Sequence, residues 1–211
     1  MKLIVKVCGM RDADNIRDVE SLGIDMIGFI FWPKSSRYVS EMPAYIPKGI
    51  SRVGVFVDED IERVHTISKQ YSLTHIQLHG SESPSYIRSL RSVCGCATAT
   101  SPAIIKAFNI ASANDLTQTI PYEGLADYFL FDTKGKSIGG NGEKFDWSLL
   151  SSYNAPTPFL LSGGIGTDDA DIIRSFHHPK CIGIDINSRF EISPGLKDAA
   201  EIGKFLKKVK S

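Results

Sequence analysis

The stretch Ser51–Gly80, SRVGVFVDEDIERVHTISKQYSLTHIQLHG, contains the pattern that decides the fold. Its apolar, β-branched run at Arg52–Val57 is followed by an amphipathic run at Ile61–Tyr71 and by another apolar run at His75–Leu78. A strand, a helix and a strand in this order predict a βαβ unit with parallel strands. Several of the strand runs along the chain are apolar on both faces, which is typical of parallel strands covered by helices.

The same alternation recurs from one end of the chain to the other. The predicted strands are Leu3–Cys8, Met26–Phe31, Arg52–Val57, His75–Leu78, Ile104–Phe108, Tyr128–Asp132, Phe159–Leu161 and Ile182–Ile186. The predicted helices are Ala13–Leu22, Glu41–Ile46, Ile61–Tyr71, Pro84–Val93, Ala113–Ile120, Trp147–Tyr153, Asp168–Ser175 and Lys197–Val209. Eight such units in 211 residues predict an α/β fold, a (β/α)8 TIM barrel formed by a single domain that spans residues 1–211.

Two segments depart from this regular pattern. Because Pro43 and Pro47 lie inside or beside the second predicted helix, we expect a short or irregular segment there. The poorly patterned stretch Lys134–Lys144 would be the sixth βα loop, on the catalytic face of the barrel. An open, doubly wound sheet is the alternative fold, but its first strand usually leads into GxGxxG, and Cys8-Gly9-Met10 stands at that place.

Composition excludes several classes of protein. The 24 Lys and Arg residues balance 24 Asp and Glu residues, which argues against a nucleic-acid partner and against a polybasic membrane anchor. Four cysteines are too few for a disulfide scaffold, and Cys94-Gly95-Cys96 has no second pair at zinc spacing, so we predict no metal. With no signal-like start and no long apolar stretch, the chain is predicted to be cytoplasmic, and a monomer is the default.

Reactive side chains are expected where barrel strands end, because active sites lie on that face. Cys8 ends the first strand, where a cysteine is either a small buried apolar residue or a catalytic thiol. Lys6 lies on the same strand face, and its ammonium is expected to lower the thiol pKa. Asp132 ends the sixth strand and either caps the following loop or acts as a general acid with a pKa raised by its apolar surroundings.

Two further side chains follow the second and fourth strands. Arg37 is either a solvated loop residue or a fork-shaped clamp for a carboxylate or a phosphate. His79 either bonds to its own loop or contacts the substrate. The remaining histidines form no triad that would bind a metal.

Three glycine-bearing or small-residue turns come late in the chain. They are Gly139–Gly142, Ser162–Ile165 and Asp185–Ser188, which follow the sixth, seventh and eighth strands. Each alone is an ordinary turn, but together they fit the phosphate site that recurs after the last strands of this barrel. Backbone N–H groups bind the anion there, so no lysine cluster is needed. The candidate binding residues are Gly140, Asn141, Gly142, Gly163, Gly164, Asp185, Asn187 and Ser188.

An ordered series of short motifs covers essentially the whole chain. They are Lys6-Val7-Cys8-Gly9-Met10, Gly28-Phe29-Ile30-Phe31, Ser35-Ser36-Arg37, Gly54-Val55-Phe56-Val57, Gln77-Leu78-His79-Gly80, Phe131-Asp132-Thr133, Gly139-Gly140-Asn141-Gly142, Phe145-Asp146-Trp147, Leu161-Ser162-Gly163-Gly164-Ile165, and Pro194-Gly195 with Lys197-Asp198. In this order they resemble the phosphoribosylanthranilate isomerase family of tryptophan biosynthesis.

The resemblance implies a cofactor-free Amadori rearrangement of N-(5-phosphoribosyl)anthranilate, a small phosphorylated substrate. It implies that Cys8 is the general base, that Asp132 is the general acid and that Arg37 meets the anthranilate carboxylate. It also implies that the late glycine turns and the residues from Asp185 to Ser188 surround the phosphate. The product would be the corresponding 1-deoxyribulose 5-phosphate aminoketose.

Three positions depart from the family pattern. Ser36 replaces the proline of Ser-Pro-Arg, which removes a rigid φ and is expected to loosen the arginine loop. Asn141 stands where Thr or Ser is usual, and Arg189 stands where glycine is common, either against the phosphate or pointing away. Another phosphosugar aminoaldose–ketose isomerase is an alternative that Cys8 disfavours. An inactive barrel that serves as a binding subunit is a second, which the two intact reactive groups disfavour.

Overall fold

The computed structural model describes residues 3–95, 101–133 and 146–210. Eight parallel strands close into a barrel in the order β1 to β8, and the predicted (β/α)8 architecture is confirmed. The strands are β1 Ile4–Cys8, β2 Met26–Ile30, β3 Ser51–Phe56, β4 His75–Leu78, β5 Ala103–Ile110, β6 Tyr128–Thr133, β7 Phe159–Leu161 and β8 Cys181–Ile186. A small antiparallel hairpin follows them, formed by β9 Glu191–Ser193 and β10 Leu196–Lys197.

Helices cover the outside of the barrel. The α-helices are α1 Ala13–Glu20, α2 Ile61–Gln70, α3 Pro84–Val93, α4 Ala170–Ser175 and α5 Ala199–Lys210. Short side chains fix where several of them begin: Asp60, for example, accepts hydrogen bonds from the first free N–H groups of α2. No helix in residues 3–95, 101–133 and 146–210 is both long and apolar enough to cross a membrane.

The outer layer differs from the sequence prediction in several segments. No helix forms at Glu41–Ile46, because prolines 43 and 47 lack the N–H groups that a helix needs. The segments Ala113–Tyr122 and Trp147–Ser152 are 3₁₀-helices, whose hydrogen bonds span three residues. The last helix begins at Ala199, two residues later than predicted, because Lys197 pairs with Glu191 in the hairpin.

Alternation along the strands divides the core between the two faces of the barrel wall. One large cluster packs between the strands and the helices. A second fills the barrel interior and contains Met26, Val53, Ile105, Ala107, Leu130 and Leu160. Above it Cys8 packs with Ile30 and Val55, so the Cys8 thiol belongs to the top of the interior. These two filled faces explain why the strand sequences are apolar throughout.

Strand register determines which polar side chains meet inside the barrel. Lys6 of β1 lies opposite Asp185 of β8, and Cys8 of β1 lies opposite Gly28 of β2. Because all eight strands are parallel, their carboxyl ends meet at one mouth. The register therefore brings residues from the two ends of the sequence to a single place.

Candidate active site

A cavity of about 60 Å³ lies at the carboxyl ends of the strands. The predicted residues that line it are Cys8, His79, Asp132, Gly163, Gly164, Asp185, Asn187 and Ser188. Other lining residues are Ile30, Val55, Gln77, Ser162 and Ile165. Sites for small molecules are roughly 300–1,000 Å³, so this cavity is the floor of a larger mouth.

A larger groove of about 650 Å³ opens at the other end of the molecule, beside Leu3, Phe176 and Cys181. It lies at the amino ends of the strands, where residues of TIM barrels serve stability. The smaller cavity at the carboxyl ends is therefore the candidate active site, although the groove has the greater volume.

One side of the cavity is formed by Cys8 and Asp185. Together with Lys6, which does not line the cavity but interacts with both, they are here called the Cys8 wall. Nζ of Lys6 donates hydrogen bonds to both carboxylate oxygens of Asp185 at 2.9 Å, and the Lys6 side chain is fully buried. Burial by itself would lower the pKa of Lys6, but the charges of Asp185 and Cys8 outweigh it and raise that pKa. Lys6 is therefore a permanent cation inside the barrel.

Two opposing influences act on the pKa of the Cys8 thiol. Burial is the largest influence and raises the pKa of Cys8, while the nearby Lys6 ammonium opposes it with a smaller effect. The predicted effect of Lys6 is confirmed, but it does not decide the net direction, because a dry interior disfavours the thiolate more than one shared cation favours it. Burial therefore favours the thiol form of Cys8.

The opposite side of the cavity is formed by Asp132, His79 and Gln77, here called the Asp132 wall. Nε2 of His79 lies 3.3 Å from Oδ2 of Asp132, and Nδ1 of His79 lies 3.2 Å from the amide nitrogen of Gln77. Within the described ranges, Oε1 of Gln77 and Nε2 of His79 are buried and make no hydrogen bond, since the 3.3 Å approach of Nε2 to Asp132 lacks the geometry of one. Buried polar atoms are rarely left so, and both atoms belong to side chains that line the cavity.

The turns after β7 and β8 form the rim. Gly163 and Gly164 have φ values of +89° and +64°, a left-handed conformation that side chains other than glycine adopt at a cost. Asn187 and Ser188 follow β8 and line the same cavity. The third predicted turn, with Gly140, Asn141 and Gly142, lies outside the described residues.

Arg37 lies next to this rim and is paired with a carboxylate of the protein itself. Its Nε and Nη2 donate hydrogen bonds to the carboxylate of Glu191 at 2.7–3.0 Å. Lys197 donates to the same carboxylate at 2.5 Å and to Oδ1 of Asn187 at 2.6 Å. The Arg37 cluster, meaning Arg37, Glu191 and Lys197, thus adjoins the cavity through Asn187.

Gly9 shows how tightly this cluster packs against β1. A Cβ added to Gly9 would lie 2.7 Å from Cδ of Arg37 and 2.9 Å from Oδ1 of Asn187, and Gly9 has φ +79°. Glycine is thus required after Cys8 for two reasons: its backbone has a positive φ, and Arg37 and Asn187 leave no room for a Cβ.

Sequence reasoning missed four polar residues of the site: Gln77, Ser162, Glu191 and Lys197. Gln77, Ser162 and Lys197 belong to quoted motifs, so a signal existed, but their burial was not visible. Glu191 had no signal, because the β9–β10 hairpin was not predicted. No three His, Cys, Asp or Glu side chains are grouped as a metal site requires, so far as residues 3–95, 101–133 and 146–210 are concerned.

Comparison with known proteins supplies independent evidence. The family model described as N-(5'phosphoribosyl)anthranilate (PRA) isomerase matches residues 5–208. The chain is 45% identical over 208 residues to the N-(5'-phosphoribosyl)anthranilate isomerase of Phocaeicola vulgatus, covering 99% of this chain and 98% of that one. It is similar to the crystal structure of phosphoribosyl anthranilate isomerase from Thermotoga maritima, with a TM-score of 0.80, 29% identity and 99% of each chain covered.

A second crystal structure of a phosphoribosyl anthranilate isomerase is similar over 99% of each chain, with a TM-score of 0.75 and 27% identity. That protein is in complex with reduced 1-(o-carboxyphenylamino)-1-deoxyribulose 5-phosphate. The bound molecule carries both a carboxylate and a phosphate.

Proposed function

The chain belongs to the N-(5'-phosphoribosyl)anthranilate isomerase family, and we propose that Cys8 and Asp132 carry out the proton transfers of its reaction. The protein is an isomerase of the aldose–ketose type. It converts N-(5'-phosphoribosyl)anthranilate to 1-(2-carboxyphenylamino)-1-deoxyribulose 5-phosphate, an Amadori rearrangement in tryptophan biosynthesis. The observation that carries the proposed roles is that Cys8 and Asp132 line one cavity from different strands.

Ring opening is the first step and requires an acid. Asp132 donates a proton to the ring oxygen of the ribose, the bond between C1 and that oxygen breaks, and the amine nitrogen supplies electrons to form an iminium ion. The positive nitrogen then acidifies the hydrogen on C2. Cys8 removes that hydrogen as a general base, the C2–H electrons neutralise the iminium as an enolamine, and tautomerisation yields the ketone.

The reacting form has a proton on Asp132 and a negative charge on Cys8. Because burial raises the pKa of Cys8, the proton resides mainly on the thiol in the free protein. A higher pKa also makes the thiolate a stronger base once it forms. The buried Lys6 ammonium stabilises that thiolate, which explains its position on the same strand face.

The rest of the cavity suits the two anionic ends of the substrate. The phosphate is proposed to bind the backbone N–H groups around Gly163, Gly164 and Ser188, with no metal or cofactor. Arg189 lies beside this turn, its Cδ 3.4 Å from the position a Cβ of Gly166 would take. Arg37 is proposed to meet the anthranilate carboxylate, and the unpartnered atoms of Gln77 and His79 are proposed to meet the ribose hydroxyls.

We further propose that the chain is a single domain, a monomer and cytoplasmic. The eight-stranded barrel that one chain closes by itself supports the single domain. Centrifugation of the purified protein and fractionation of the cells that express it would test the last two.

Cys8→Ala and Asp132→Asn test the proposed roles. Each variant is expected to lower kcat by about 10²–10⁴-fold, because acid–base groups contribute that much to catalysis. Loss of the substrate's fluorescence measures turnover. Cys181→Ala and Asp171→Asn are matched controls on another cysteine and on an exposed aspartate, and both should keep wild-type kcat. Near-wild-type turnover of either test variant would show that its residue is not the acid or base.

A further inference from the structure

Arg37 is held by Glu191 along one particular edge of its guanidinium group. Nε donates to both oxygens of Glu191 at 2.8 and 3.0 Å, and Nη2 donates to Oε2 at 2.7 Å. A guanidinium has five N–H groups in a fixed plane, so this side-on contact leaves the end formed by Nη1 and Nη2 open. Among residues 3–95, 101–133 and 146–210, no protein group accepts a hydrogen bond from Nη1.

Glu191 itself is immobilised by neighbours other than Arg37. Its Oε1 accepts hydrogen bonds from Nζ of Lys197 at 2.5 Å and from the backbone N–H of Gly195 at 3.0 Å. Glu191 and Lys197 are paired across the β9–β10 hairpin, so the backbone hairpin holds their side chains next to each other. Burial would raise the pKa of Glu191, but Arg37 and Lys197 outweigh it and lower that pKa, so the carboxylate stays ionised.

A second arginine ties the Arg37 loop to the same hairpin. Arg11 donates to the carbonyl of Ser36 at 3.2 Å and to the carbonyl of Pro194 at 2.9 Å. Gly195 has φ +85°, and a Cβ there would lie 2.6 Å from Nε of Arg11. The loop that lacks the family's proline at Ser36 is therefore anchored from outside, which offsets the loosening expected from the sequence.

Charge gives the cluster a net preference for an anion. Two cations, Arg37 and Lys197, share one carboxylate, and the side chains of Arg37 and Glu191 are only 13% and 5% exposed. The local charge is therefore +1 where few waters can compensate it. A ligand carboxylate at the free end of Arg37 would neutralise it through two parallel hydrogen bonds.

We propose that Glu191 is a positioning residue: it fixes Arg37 side-on so that the Nη1–Nη2 end receives the carboxylate of the substrate. This inference rests on the proposed function of Arg37. Glu191 touches no reacting atom in this arrangement and acts only through Arg37. It determines affinity for substrates that carry the carboxylate, and leaves the proton transfers at Cys8 and Asp132 unchanged.

The test compares two ligands on wild-type protein and on Glu191→Gln. One is reduced 1-(o-carboxyphenylamino)-1-deoxyribulose 5-phosphate, and the other is the same molecule without the carboxylate. Titration calorimetry should show about tenfold weaker binding of the first ligand to Glu191→Gln and less than about twofold change for the second. Only the first ligand has a carboxylate, whose charge-assisted hydrogen bonds with Arg37 are impaired in the variant. KM should rise by a similar factor, with kcat within about twofold of wild type.

Three further variants separate the possible outcomes. Glu201→Gln, which breaks an exposed ion pair with Lys204, is the matched control and should bind both ligands normally. Arg37→Gln should lose the preference for the carboxylate, and Arg37→Gln/Glu191→Gln should lose no more than Arg37→Gln. If Glu191→Gln does not fold, Glu191→Asp replaces it, which keeps the charge but shortens the reach. Like Glu191→Gln, it should bind the ligand with the carboxylate more weakly and the ligand without it normally.

Two results would overturn the proposal. Normal binding of the carboxylate ligand by Glu191→Gln, together with a loss in Arg37→Gln, would refute the role of Glu191 and leave that of Arg37 intact. Equal weakening of both ligands would mean that Glu191 only maintains the structure. A normal preference in Arg37→Gln would instead refute the proposed function of Arg37 itself.

Discussion

The Cys8 wall and the Asp132 wall face the same cavity but hold their charges in opposite ways. On the Cys8 wall, Lys6 is fully buried, and the cation is paired inside the barrel with Asp185 at 2.9 Å. On the Asp132 wall, the side chains of Asp132 and His79 remain 12% and 11% exposed and lie 3.3 Å apart. The difference suits the proposed roles, because a dry environment strengthens a base, whereas an acid must regain its proton from solvent.

Packing follows the same division. Gly28 is opposite Cys8 on the neighbouring strand, and a Cβ added to it would lie 2.8 Å from Sγ of Cys8. On the Asp132 wall, Oε1 of Gln77 and Nε2 of His79 are buried and make no hydrogen bond within the described residues. Cys8 is thus held by close contacts, whereas Asp132 lies among polar groups that line the cavity.

The largest expected effect is on stability, and it comes from removing the buried cation of the Cys8 wall. Lys6→Met leaves the buried carboxyl of Asp185 without its partner inside the barrel, which should lower the free energy of unfolding by about 3–5 kcal/mol. Urea denaturation measures it. Arg17→Gln is the control, because its pair with Asp14 is exposed and contributes less than about 1 kcal/mol.

The double variant Lys6→Met/Asp185→Leu should recover much of the stability lost by Lys6→Met, because it removes both charges. If Lys6→Met lowered the free energy of unfolding no more than Arg17→Gln, the Cys8 wall would be no more charge-dependent than the protein surface.

Crowding the thiol should have the next largest effect. Gly28→Ala places a methyl group 2.8 Å from Sγ of Cys8, so the sulfur must shift by some tenths of an ångström. Misplacement of a reacting group by about 1 Å can cost roughly 100-fold in rate, and a loss of about 10-fold in kcat is expected here. Steady-state kinetics of Gly49→Ala, where the nearest atom is 3.9 Å away, supplies the control.

An unchanged kcat in Gly28→Ala would mean that the position of the Cys8 thiol is not critical. A loss of kcat in Gly49→Ala of the same size would point to a general effect of added bulk.

The pH dependence of kcat/KM should show the smallest effect and compares both walls at once. The reacting form arises by moving one proton from Cys8 to Asp132, so the total number of protons is unchanged. The rate should therefore not change with pH while Cys8 holds its proton in the free protein. Because burial raises the pKa of Cys8, the decline at high pH should begin above the ordinary thiol value of about 8.5. A flat profile from about pH 7 to pH 8.5 is expected.

A kcat/KM that already falls tenfold per pH unit below pH 8.5 would contradict the raised pKa of Cys8. Repeating the profile on Cys181→Ala shows that any decline belongs to Cys8, because Cys181 lies at the amino end of β8, away from the cavity.

The barrel wall could be predicted from the sequence far better than its outer layer. Strands His75–Leu78 and Phe159–Leu161 have the predicted bounds, because an apolar run between polar turns is a local signal. Helix type is less local: Ala113–Tyr122 has a helical pattern but forms a 3₁₀-helix, and Glu41–Ile46 forms none. Propensity is a weak guide where tertiary packing and proline decide.

The candidate site divides in the same manner. That Cys8 and Asp132 lie at one mouth could be predicted because both end strands, and the end of a parallel strand is a defined place in a barrel. The partner of Arg37 could not be found, since Glu191 lies 154 residues further along the chain. The effect of Lys6 on the pKa of Cys8 was predicted in the right direction, but the net direction depends on the depth of burial, which the sequence does not reveal.

By itself, the sequence determined the eight strands, their parallel arrangement and the candidate residues at their ends, because these follow from local periodicity and from the order of the elements. Only the tertiary structure decided which of these residues share charges: Lys6 with Asp185, and Arg37 with Glu191. The physical reason is that electrostatic energy depends on distance and on burial. Neither quantity exists until the barrel closes and brings β1 against β8.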